Sequence, residues 1–289
     1  MERRRVDLHT HSIYSDGGDS PKELLEIAKQ SNIGTLALTD HDNIDGSKEL
    51  VKLNKEGIYI YSGVELTAKV NKGRLHILGY NIDLENPEIN KVLKEMHEAS
   101  IYNMLLYIEL LKKDYNIIVP QEKIDWLLNL IGNVGRPQLA LILIEMGYAK
   151  TVQEAFDKYL IEIYDKVRHI KKGLTKEEAI PLITNAGGIA SLAHPGSLYL
   201  TREELKKELL YMKELGLGAI EVIHSNATPE MRQEYYELAC ELNLLISGGT
   251  DYHGHAVKPD VDIGHGRNNN VEIFDQQLTL VKNIKSRYM

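Results

Sequence analysis

Val6-Asp7-Leu8-His9-Thr10-His11 alternates apolar and polar residues, which predicts a β-strand near the start of the chain. The two-residue spacing of His9 and His11 would place both imidazole rings on the same face of that strand. Asp16 follows five residues after the second histidine. Imidazole nitrogens and carboxylate oxygens are the usual ligands of catalytic Zn, Fe and Mn. The segment therefore predicts a strand that leads into a metal site.

Five further segments carry the same kinds of side chain, each at a predicted strand end or edge. They are Thr39-Asp40-His41, Gly63-Val64-Glu65, Arg74-Leu75-His76, Ser191-Leu192-Ala193-His194 and Thr250-Asp251-Tyr252-His253. A half-buried polar sheet edge would explain one such pair of ligand-type residues, but not two pairs together with four single ones. In a parallel α/β fold the carboxyl ends of all strands open on one face, so distant ligands can converge there.

Short apolar runs alternate with helical patterns over most of the chain, which is typical of βα units and a largely parallel sheet. Ser20-Pro21-Lys22-Glu23 predicts a helix start, with a capping serine, a proline in the first turn and an acidic third residue. Gly34 is expected to end that helix before the second strand. Strands are predicted at 6–11, 35–40, 58–65, 74–82, 188–193, 219–224 and 244–249.

The alternation stops between residues 84 and 172, where helices are predicted at 86–113, 121–131, 136–147 and 151–160. An all-helical block inside an α/β chain is typical of a lid that covers an active site. We therefore expect a discontinuous barrel domain of residues 1–83 and 173–289. Residues 84–172 would form an inserted helical cap domain.

The composition narrows the possible partners. A net charge of −8 argues against a surface for long nucleic acids, although metal ions could still hold a small phosphate. Cys240 is the only cysteine, which excludes an internal disulfide and fits a reducing compartment. No stretch approaches the length of a membrane span. A cytoplasmic protein without a membrane partner is expected.

The sequence offers interpretations of four other residues. Asp40 either orients an imidazole or has no role in the site, and Asp42 is interpreted as a cap of the turn at 42–46. His224 ends a predicted strand and could be a metal ligand, a phosphate contact or an acid. Arg136 precedes a proline at a helix start, where a guanidinium could bind phosphate in a bidentate manner, or it is a surface arginine.

Together, these motifs resemble the polymerase-and-histidinol-phosphatase (PHP) family of metal-dependent phosphoesterases over essentially the whole chain. The motifs occur in the family's order. The resemblance implies an α/β fold, a distorted (β/α)7 barrel. It also implies three metal sites: His9, His11, Glu65 and Asp251 at the first, Glu65 with His76 and His194 at the second, and Asp16, His41 and His253 at the third.

The helical insert and its Gly135-Arg136-Pro137 are similar to one subgroup of the family. That subgroup contains nucleoside 3′,5′-bisphosphate phosphatases, nucleoside monophosphate phosphatases and 5′→3′ oligoribonucleases, in which the insert covers the active site and the arginine contacts substrate phosphate. Relatives commonly have histidine two positions after the arginine, where this chain has Gln138, a difference that bears on substrate preference. The resemblance implies hydrolysis of a phosphomonoester on a nucleotide, or at the 5′ end of a short oligoribonucleotide.

The expected mechanism uses two or three divalent ions of Mn, Fe or Zn. Glu65 would bridge two of them so that they activate a hydroxide, Arg136 would bind phosphate, and His224 is the candidate acid for the leaving oxygen. The alternative enzyme is a phosphatase of histidinol phosphate or another small metabolite. The non-enzymatic alternative is a binding module with structural metals. Structural sites are closed by their protein ligands, so nine ligands shared among three metals favour catalysis.

Overall fold

The computed structural model describes residues 4–54, 57–132, 134–167 and 173–288. The chain divides into two compact units, one of Met1–Lys91 with Leu174–Met289 and the other of Val92–Gly173. The end of the predicted insert, residues 168–172, lies outside the described residues, as does Asn133 in the loop before Arg136.

The first unit is built on a seven-stranded sheet that forms a nearly closed barrel. In both chain and sheet order its strands are β1 (Arg5–Thr10), β2 (Ile33–Leu38), β3 (Tyr59–Ala68), β4 (Leu75–Tyr80), β5 (Ile189–Leu192), β6 (Leu217–His224) and β7 (Leu245–Gly249). A parallel bridge between Thr10 and Tyr252 brings the chain after β7 back beside β1. The predicted α/β barrel and its seven strands are confirmed.

Helices follow most of the strands. In chain order they are α1 (Pro21–Gln30), α2 (Asp45–Leu53), α3 (Pro87–Tyr115), α4 (Gln121–Leu128), α5 (Arg136–Glu145), α6 (Val152–Ala155), α7 (Ile161–Val167), α8 (Lys176–Asn185), α9 (Arg202–Glu214), α10 (Pro229–Glu241) and α11 (Thr279–Asn283). A small hairpin of β8 (Val261–Asp262) and β9 (Gly266–Arg267) lies near the end of the chain. No described helix is both long and apolar enough to cross a membrane.

The start of α1 is as predicted, but its end is not. Ser20 accepts a hydrogen bond from the Glu23 backbone N–H, and the Glu23 side chain accepts one from the Ser20 N–H, which makes a capping box. The expectation that Gly34 ends the helix is wrong, because Gly34 lies inside β2. Asn32 instead adopts the left-handed conformation with φ of 54°. Asparagine tolerates this conformation better than most residues, so it can take the place of glycine at a helix end.

The side of the barrel formed by β2 and β3 is fixed by apolar packing against α1 and α2. Its fully buried members include Leu24, Leu36, Leu38, Leu50 and Ile60. Burying each such side chain contributes roughly 1.5–3 kcal/mol to folding. The positions of the strand ends therefore rest on a well-packed layer.

β4 runs in the opposite direction to both of its neighbours. Its beginning therefore lies at the edge of the sheet where the parallel strands end, and His76 is its second residue. The other candidate ligands lie at the ends of parallel strands or in the residues that follow them, except Glu65, which lies within β3. His76 reaches the same edge because a hairpin joins β3 to β4. A hairpin reverses the chain, whereas a βα unit does not.

The second unit is helical, and none of its described residues forms a strand. An apolar cluster holds its helices together, with members that include Met104, Leu111, Leu127, Leu139 and Leu143. A π-helical turn, Phe156–Leu160, separates α6 from α7. The helix predicted at 151–160 thus continues, through this turn, to Val167.

Gly249 is the residue at which β7 passes closest to β1. A Cβ atom at this position would lie 2.3 Å from His9 Cβ and 2.4 Å from the His9 nitrogen. Gly249→Ala should therefore lower the free energy of unfolding by about 1–3 kcal/mol, because backbone atoms must move to admit the methyl group. Urea unfolding measures this change.

Gly218→Ala in the neighbouring strand β6 is the matched control. The nearest atom to its added methyl group is a side-chain carbon of Ile189 at 3.0 Å, which can shift more easily than backbone. Equal losses of stability in the two variants would contradict the assignment of Gly249 as the close contact.

Candidate metal centre

The nine predicted ligand residues converge at one edge of the barrel. Those supplied by strands or by the first residues after them are His9, His11, His41, Glu65, His76, His194, Asp251 and His253, and Asp16 comes from the loop after β1. All are buried or half-buried. The structure thus brings together side chains that lie up to 244 positions apart in the sequence, His9 and His253 being the extremes (253 − 9 = 244).

Glu65 lies at the centre of this cluster and has no exposed surface. Its two carboxylate oxygens face different imidazoles. Oε2 lies 3.1, 3.2 and 3.3 Å from His9 Nε2, His11 Nε2 and His41 Nδ1, respectively. Oε1 lies 2.8 and 3.0 Å from His76 Nδ1 and His194 Nε2. This division is the arrangement that a carboxylate needs to bridge two cations.

Two aspartates extend the cluster on either side. Asp251 Oδ1 lies 3.3 Å from His11 Nε2 and 3.6 Å from His9 Nε2. Asp16 Oδ1 lies 3.3 Å from His253 Nε2, and its Oδ2 lies 3.9 Å from His41 Nε2. Ligand atoms from each of two sets lie within 4.8 Å of one another: His9, His11, Glu65 and Asp251 form one set, and His11, Asp16, His41 and His253 form the other.

Three of the imidazoles are oriented by a hydrogen bond from Nδ1, the ring nitrogen that faces away from the cluster. His9 Nδ1 lies 2.8 Å from Glu221 Oε1, and His253 Nδ1 lies 2.9 Å from the carbonyl oxygen of Asp251. His194 Nδ1 lies 2.9 Å from Ser197 Oγ, whose own hydroxyl donates to the Arg74 carbonyl. Each outer acceptor holds the proton on Nδ1, so the Nε2 lone pair points into the cluster, as a metal ligand requires.

The electrostatics of the cluster favour added positive charge. Burial alone would lower the pKa of His11, but the carboxylates of Asp251 and Glu65 outweigh it and raise that pKa to about 9. Burial dominates at His41 and lowers its pKa to about 3. Burial would raise the pKa of Glu65, yet the surrounding imidazoles hold it well below its usual range. A buried carboxylate of this kind requires protons or cations beside it.

Two atoms of the cluster fit a metal better than a hydrogen bond. His11 Nε2 and Asp16 Oδ1 are buried, and neither has a hydrogen-bond partner among the described residues. Unpaired buried polar atoms are costly in a folded protein unless a ligand satisfies them. The His/Asp/Glu cluster could therefore bind metal, and its mixed nitrogen and oxygen donors suit a divalent transition ion.

Glu221 is a part of this site that the sequence analysis missed. It is fully buried in β6, and besides orienting His9 it accepts a hydrogen bond from the His194 backbone N–H at 2.6 Å. His194 has φ of 27°, a strained conformation for a residue with a side chain, and this bond helps to hold it. A lone carboxylate within the apolar run Ala219-Ile220-Glu221-Val222-Ile223 was the available signal.

A second buried carboxylate, Asp7, ties β1 to the chain that follows β7. It accepts hydrogen bonds from the Thr250 N–H at 3.0 Å, the Thr250 hydroxyl at 2.6 Å and the Gly264 N–H at 2.8 Å. Burial raises its pKa, although these donors oppose that effect. Asp7 thus fixes the strand that carries His9, and among the described residues it belongs to none of the groups of potential ligand atoms.

His224 lies beside the cluster at the end of β6 and is almost fully buried. Its Nδ1 accepts a hydrogen bond from the Asn226 backbone N–H at 3.0 Å, which is opposite to the arrangement at His9. The neutral ring therefore carries its proton on Nε2, and that atom lies 3.7 Å from Asp251 Oδ2. This geometry suits a proton donor better than a metal ligand.

The two aspartates that flank His41 have separate roles. Asp40 accepts hydrogen bonds from the Ser12 N–H at 2.7 Å and the Ser15 hydroxyl at 2.6 Å, and Ser15 Oγ lies 3.4 Å from His11 Nδ1. Its influence on an imidazole is therefore indirect. The interpretation of Asp42 as the turn cap is wrong.

In that turn, Asn43 Oδ1 accepts a hydrogen bond from the Asp45 N–H at 2.7 Å, whereas Asp42 Oδ1 accepts one from the Thr67 N–H in β3.

Lys258 is a further residue of the site that the sequence analysis missed. Its ammonium group donates to Asp251 Oδ2 at 2.7 Å, so the two oxygens of Asp251 have different partners.

Arg136 belongs to the second unit and is the first residue of α5. Its guanidinium carbon lies 4.1 Å from the centre of the Tyr164 ring and 5.4 Å from that of Phe156. Gln138 Oε1 accepts a hydrogen bond from the Gly135 backbone N–H at 2.9 Å. The residue that departs from the subgroup pattern thus caps the helix that begins with Arg136.

Comparison with known proteins agrees with this site. The PHP domain matches residues 7–177 of the chain. The 5′-3′ exoribonuclease Rnm of Salmonella typhimurium is 33% identical over 253 residues, which cover 86% of this chain and 84% of the relative. The 3′,5′-nucleoside bisphosphate phosphatase of Chromobacterium violaceum is 28% identical over 262 residues, or 90% of each chain.

Two solved structures share the fold over nearly the whole chain. An amidohydrolase from Chromobacterium violaceum, determined with bound sulfate and no metal, has a TM-score of 0.78 at 28% identity and covers 90% of both chains. A Bifidobacterium adolescentis protein assigned to the metal-dependent phosphoesterases has a TM-score of 0.77 at 25% identity. The matched region covers 95% of this chain and 93% of the Bifidobacterium adolescentis protein.

A barrel-like sheet with a buried cluster of imidazoles and carboxylates at its edge, in a chain with these relatives, defines a metal-dependent phosphoesterase. The chain belongs to the PHP family, whose domain matches more than half of its length. The predicted family and the predicted class of enzyme, a hydrolase of phosphoric esters, are confirmed.

Glu221→Gln should weaken the site without unfolding the barrel. The amide is nearly isosteric, but its NH2 group would face either the His9 ring N–H or the His194 backbone N–H, so one of the two hydrogen bonds is lost. Loss of an outer partner of this kind lowers metal affinity or turnover by about 10- to 100-fold. Metal titration of the chelator-treated protein, together with turnover of a phosphoester, measures the effect.

Glu241→Gln provides the control, because Glu241 pairs with Lys206 on the surface of the same unit. That variant should bind metal and turn over substrate as the parent does. Wild-type metal affinity and turnover in Glu221→Gln would show that the bonds from Glu221 do not support the centre.

Proposed function

We propose that this chain removes a phosphoryl group from nucleotides and from the 5′ ends of short oligoribonucleotides, with two or three divalent metal ions. The proposal rests on the surroundings of the Glu65 carboxylate, whose two oxygens face separate groups of imidazoles. Such a carboxylate suits a site with more than one metal, and paired metals are typical of enzymes that hydrolyse phosphoesters.

The proposed ligands are those implied by the family resemblance. His9, His11, Glu65 and Asp251 would hold one ion, Glu65, His76 and His194 a second, and Asp16, His41 and His253 a third. Imidazoles with carboxylates suit Mn, Fe and Zn. When bound, such ions would act as Lewis acids and lower the pKa of a coordinated water.

His224 is proposed as the group that donates a proton to the leaving oxygen. The Asn226 N–H occupies its Nδ1, so the proton sits on Nε2 and faces Asp251 at the side of the cluster. A positioned N–H donor can protonate a departing alkoxide or hydrogen-bond to a phosphoryl oxygen. The same tautomer disfavours the alternative role of His224 as a metal ligand.

Arg136 is proposed to bind a phosphate of the substrate. Its position at the start of α5 combines a planar set of N–H donors with the positive end of a helix, both of which favour phosphate. The names of the relatives support a nucleotide substrate, since one acts on nucleoside 3′,5′-bisphosphates and another is an exoribonuclease. The net charge of −8 disfavours long polyanions.

A substrate panel tests the proposed function. Adenosine 3′,5′-bisphosphate, AMP, a short 5′-phosphorylated RNA and histidinol phosphate should be compared with the protein loaded with Mn. We expect kcat/KM to be highest on one of the three nucleotide substrates. A large preference for histidinol phosphate would overturn the nucleotide assignment, and a single metal ion or none per chain would overturn the multinuclear site.

His253→Ala and His255→Ala form a matched pair for the metal centre. His253 faces Asp16 inside the cluster, whereas His255 is exposed and pairs with Asp262. His253→Ala should abolish or greatly reduce turnover while the protein stays folded, and His255→Ala should leave turnover unchanged. A structural metal would instead give a His253→Ala variant with lost stability, and retained turnover would exclude the proposed ligand role.

Arg136→Ala should chiefly impair substrates with two phosphates. Removing one charge-assisted donor to a phosphate costs about 2–4 kcal/mol of transition-state stabilisation. Arg136→Lys should recover only part of this loss, because an ammonium cannot reproduce the planar arrangement of donors. Steady-state kinetics on the bisphosphate and on AMP measure the difference.

Metal content is the internal control in this experiment, since no ligand is changed and it should equal that of the parent protein. Unaltered kinetics of Arg136→Ala on every phosphoester would mean that Arg136 is a surface arginine without a role in phosphate binding.

A further inference from the structure

The guanidinium group of Arg136 lies over two aromatic rings of the second unit. The Tyr164 ring centre lies 4.1 Å from its central carbon, and the Phe156 ring centre lies 5.4 Å from it. Both distances are within the range of about 6 Å over which a cation is attracted to a ring face. Both rings are only half-buried, so they are side chains at the border of the apolar cluster.

An uninterrupted α-helix would not place these two rings together. Phe156 and Tyr164 are eight residues apart, which at 3.6 residues per turn corresponds to an offset of about 80° around the helix axis. The π-helical turn Phe156–Leu160 begins at the first of the two residues, ends before the second and acts as a one-residue insertion. The pair then behaves as if seven residues apart, with an offset of only about 20°.

We propose that Phe156, Tyr164 and this π-helical turn are a positioning device for Arg136. The inference rests on the proposed function, in which Arg136 binds a substrate phosphate. π-helical turns are rare and occur frequently at functional sites. Here the turn aligns two rings on the face of the helix that contacts the guanidinium.

Stacking is well suited to preparing an arginine for a phosphate. An aromatic ring that stacks on the face of a planar guanidinium leaves the in-plane N–H donors available to a phosphate. A side chain that is already held loses less conformational entropy when the phosphate binds. The rings therefore act through Arg136 and are positioning residues, not catalytic residues.

Kinetics of single variants test the proposal. Tyr164→Leu should lower kcat/KM for adenosine 3′,5′-bisphosphate roughly tenfold, chiefly through KM, with little change on AMP. Phe156→Leu should have a smaller effect in the same direction, since its ring is farther from the guanidinium. Tyr164→Phe keeps the ring face and should restore the parent value.

Tyr159→Leu is the matched control. Tyr159 lies in the same π-helical turn and is also half-buried, but its ring packs edge-on against Tyr115 at 5.1 Å. Its removal should cost the second unit similar apolar packing and leave the bisphosphate kinetics unchanged. An equal loss in Tyr159→Leu and Tyr164→Leu would mean that packing of the unit matters and positioning does not, which would overturn the proposal.

A spectroscopic measurement reports on the stacking without any activity. The Nε–H resonance of Arg136, identified by its absence in Arg136→Lys, should show an upfield ring-current shift in the NMR spectrum of the parent protein. This shift should be lost in Tyr164→Leu and kept in Tyr159→Leu. Deleting the exposed Lys158 should convert the turn to α-helix with Phe156 and Tyr164 seven residues apart, which preserves their alignment, so the shift should be kept.

The failures of the two proposals are distinguishable. If Arg136→Ala impairs the bisphosphate reaction but Tyr164→Leu does not, Arg136 keeps its proposed function and the positioning device is excluded. If neither variant changes any phosphoester kinetics, the phosphate role of Arg136 fails, and the inference drawn from it fails too. A selective loss in Tyr164→Leu, with rescue by Tyr164→Phe and an unaffected Tyr159→Leu, is the result we expect.

Discussion

The burial of the Glu65 carboxylate is the constraint on which the barrel's site depends. A carboxylate without solvent exposure must be surrounded by donors or cations, and at Glu65 nitrogens of five imidazoles from four segments of the chain lie within 3.3 Å. Among the described residues, no ion pair joins Glu65 to a lysine or an arginine. Neutral imidazoles give little compensation by themselves, so the arrangement is stable only with protons or metal ions present.

The topology of the sheet follows from the same requirement. Imidazoles must reach Glu65 from all sides, and a nearly closed barrel of seven strands provides several strand ends around one point. The reversal of β4 adds a ligand that a fully parallel barrel would not place there, because His76 pairs with Thr67, two residues beyond Glu65 in β3. Two buried, hydrogen-bonded carboxylates then fix the chain around the cluster. Asp7 ties down the strand that carries His9, and Glu221 holds the His9 ring and the backbone at His194.

Local patterns were enough to predict the strands and the nine candidate ligands, because alternation and the His-x-His spacing are short-range properties of a chain. Glu221 could not be recognised in this way. A lone carboxylate has no spacing partner, and Glu221 reaches His9, 212 positions away in the sequence, only because the folded barrel brings the side chains of β1 and β6 together. The roles given to Gly34 and Asp42 failed for a related reason, since neighbouring asparagines, Asn32 and Asn43, compete for the same turn conformations.

The π-helical turn marks another limit of sequence periodicity. The apolar pattern after Thr151 predicts a helix that stops at about residue 160, whereas the helical chain continues to Val167 through Phe156–Leu160. A one-residue insertion shifts the phase of a 3.6-residue pattern by 100°, so a periodic signal ends there although the helix does not. A place where the pattern loses phase inside a helix is therefore worth examining as a functional feature. In this chain it coincides with the two rings that hold Arg136.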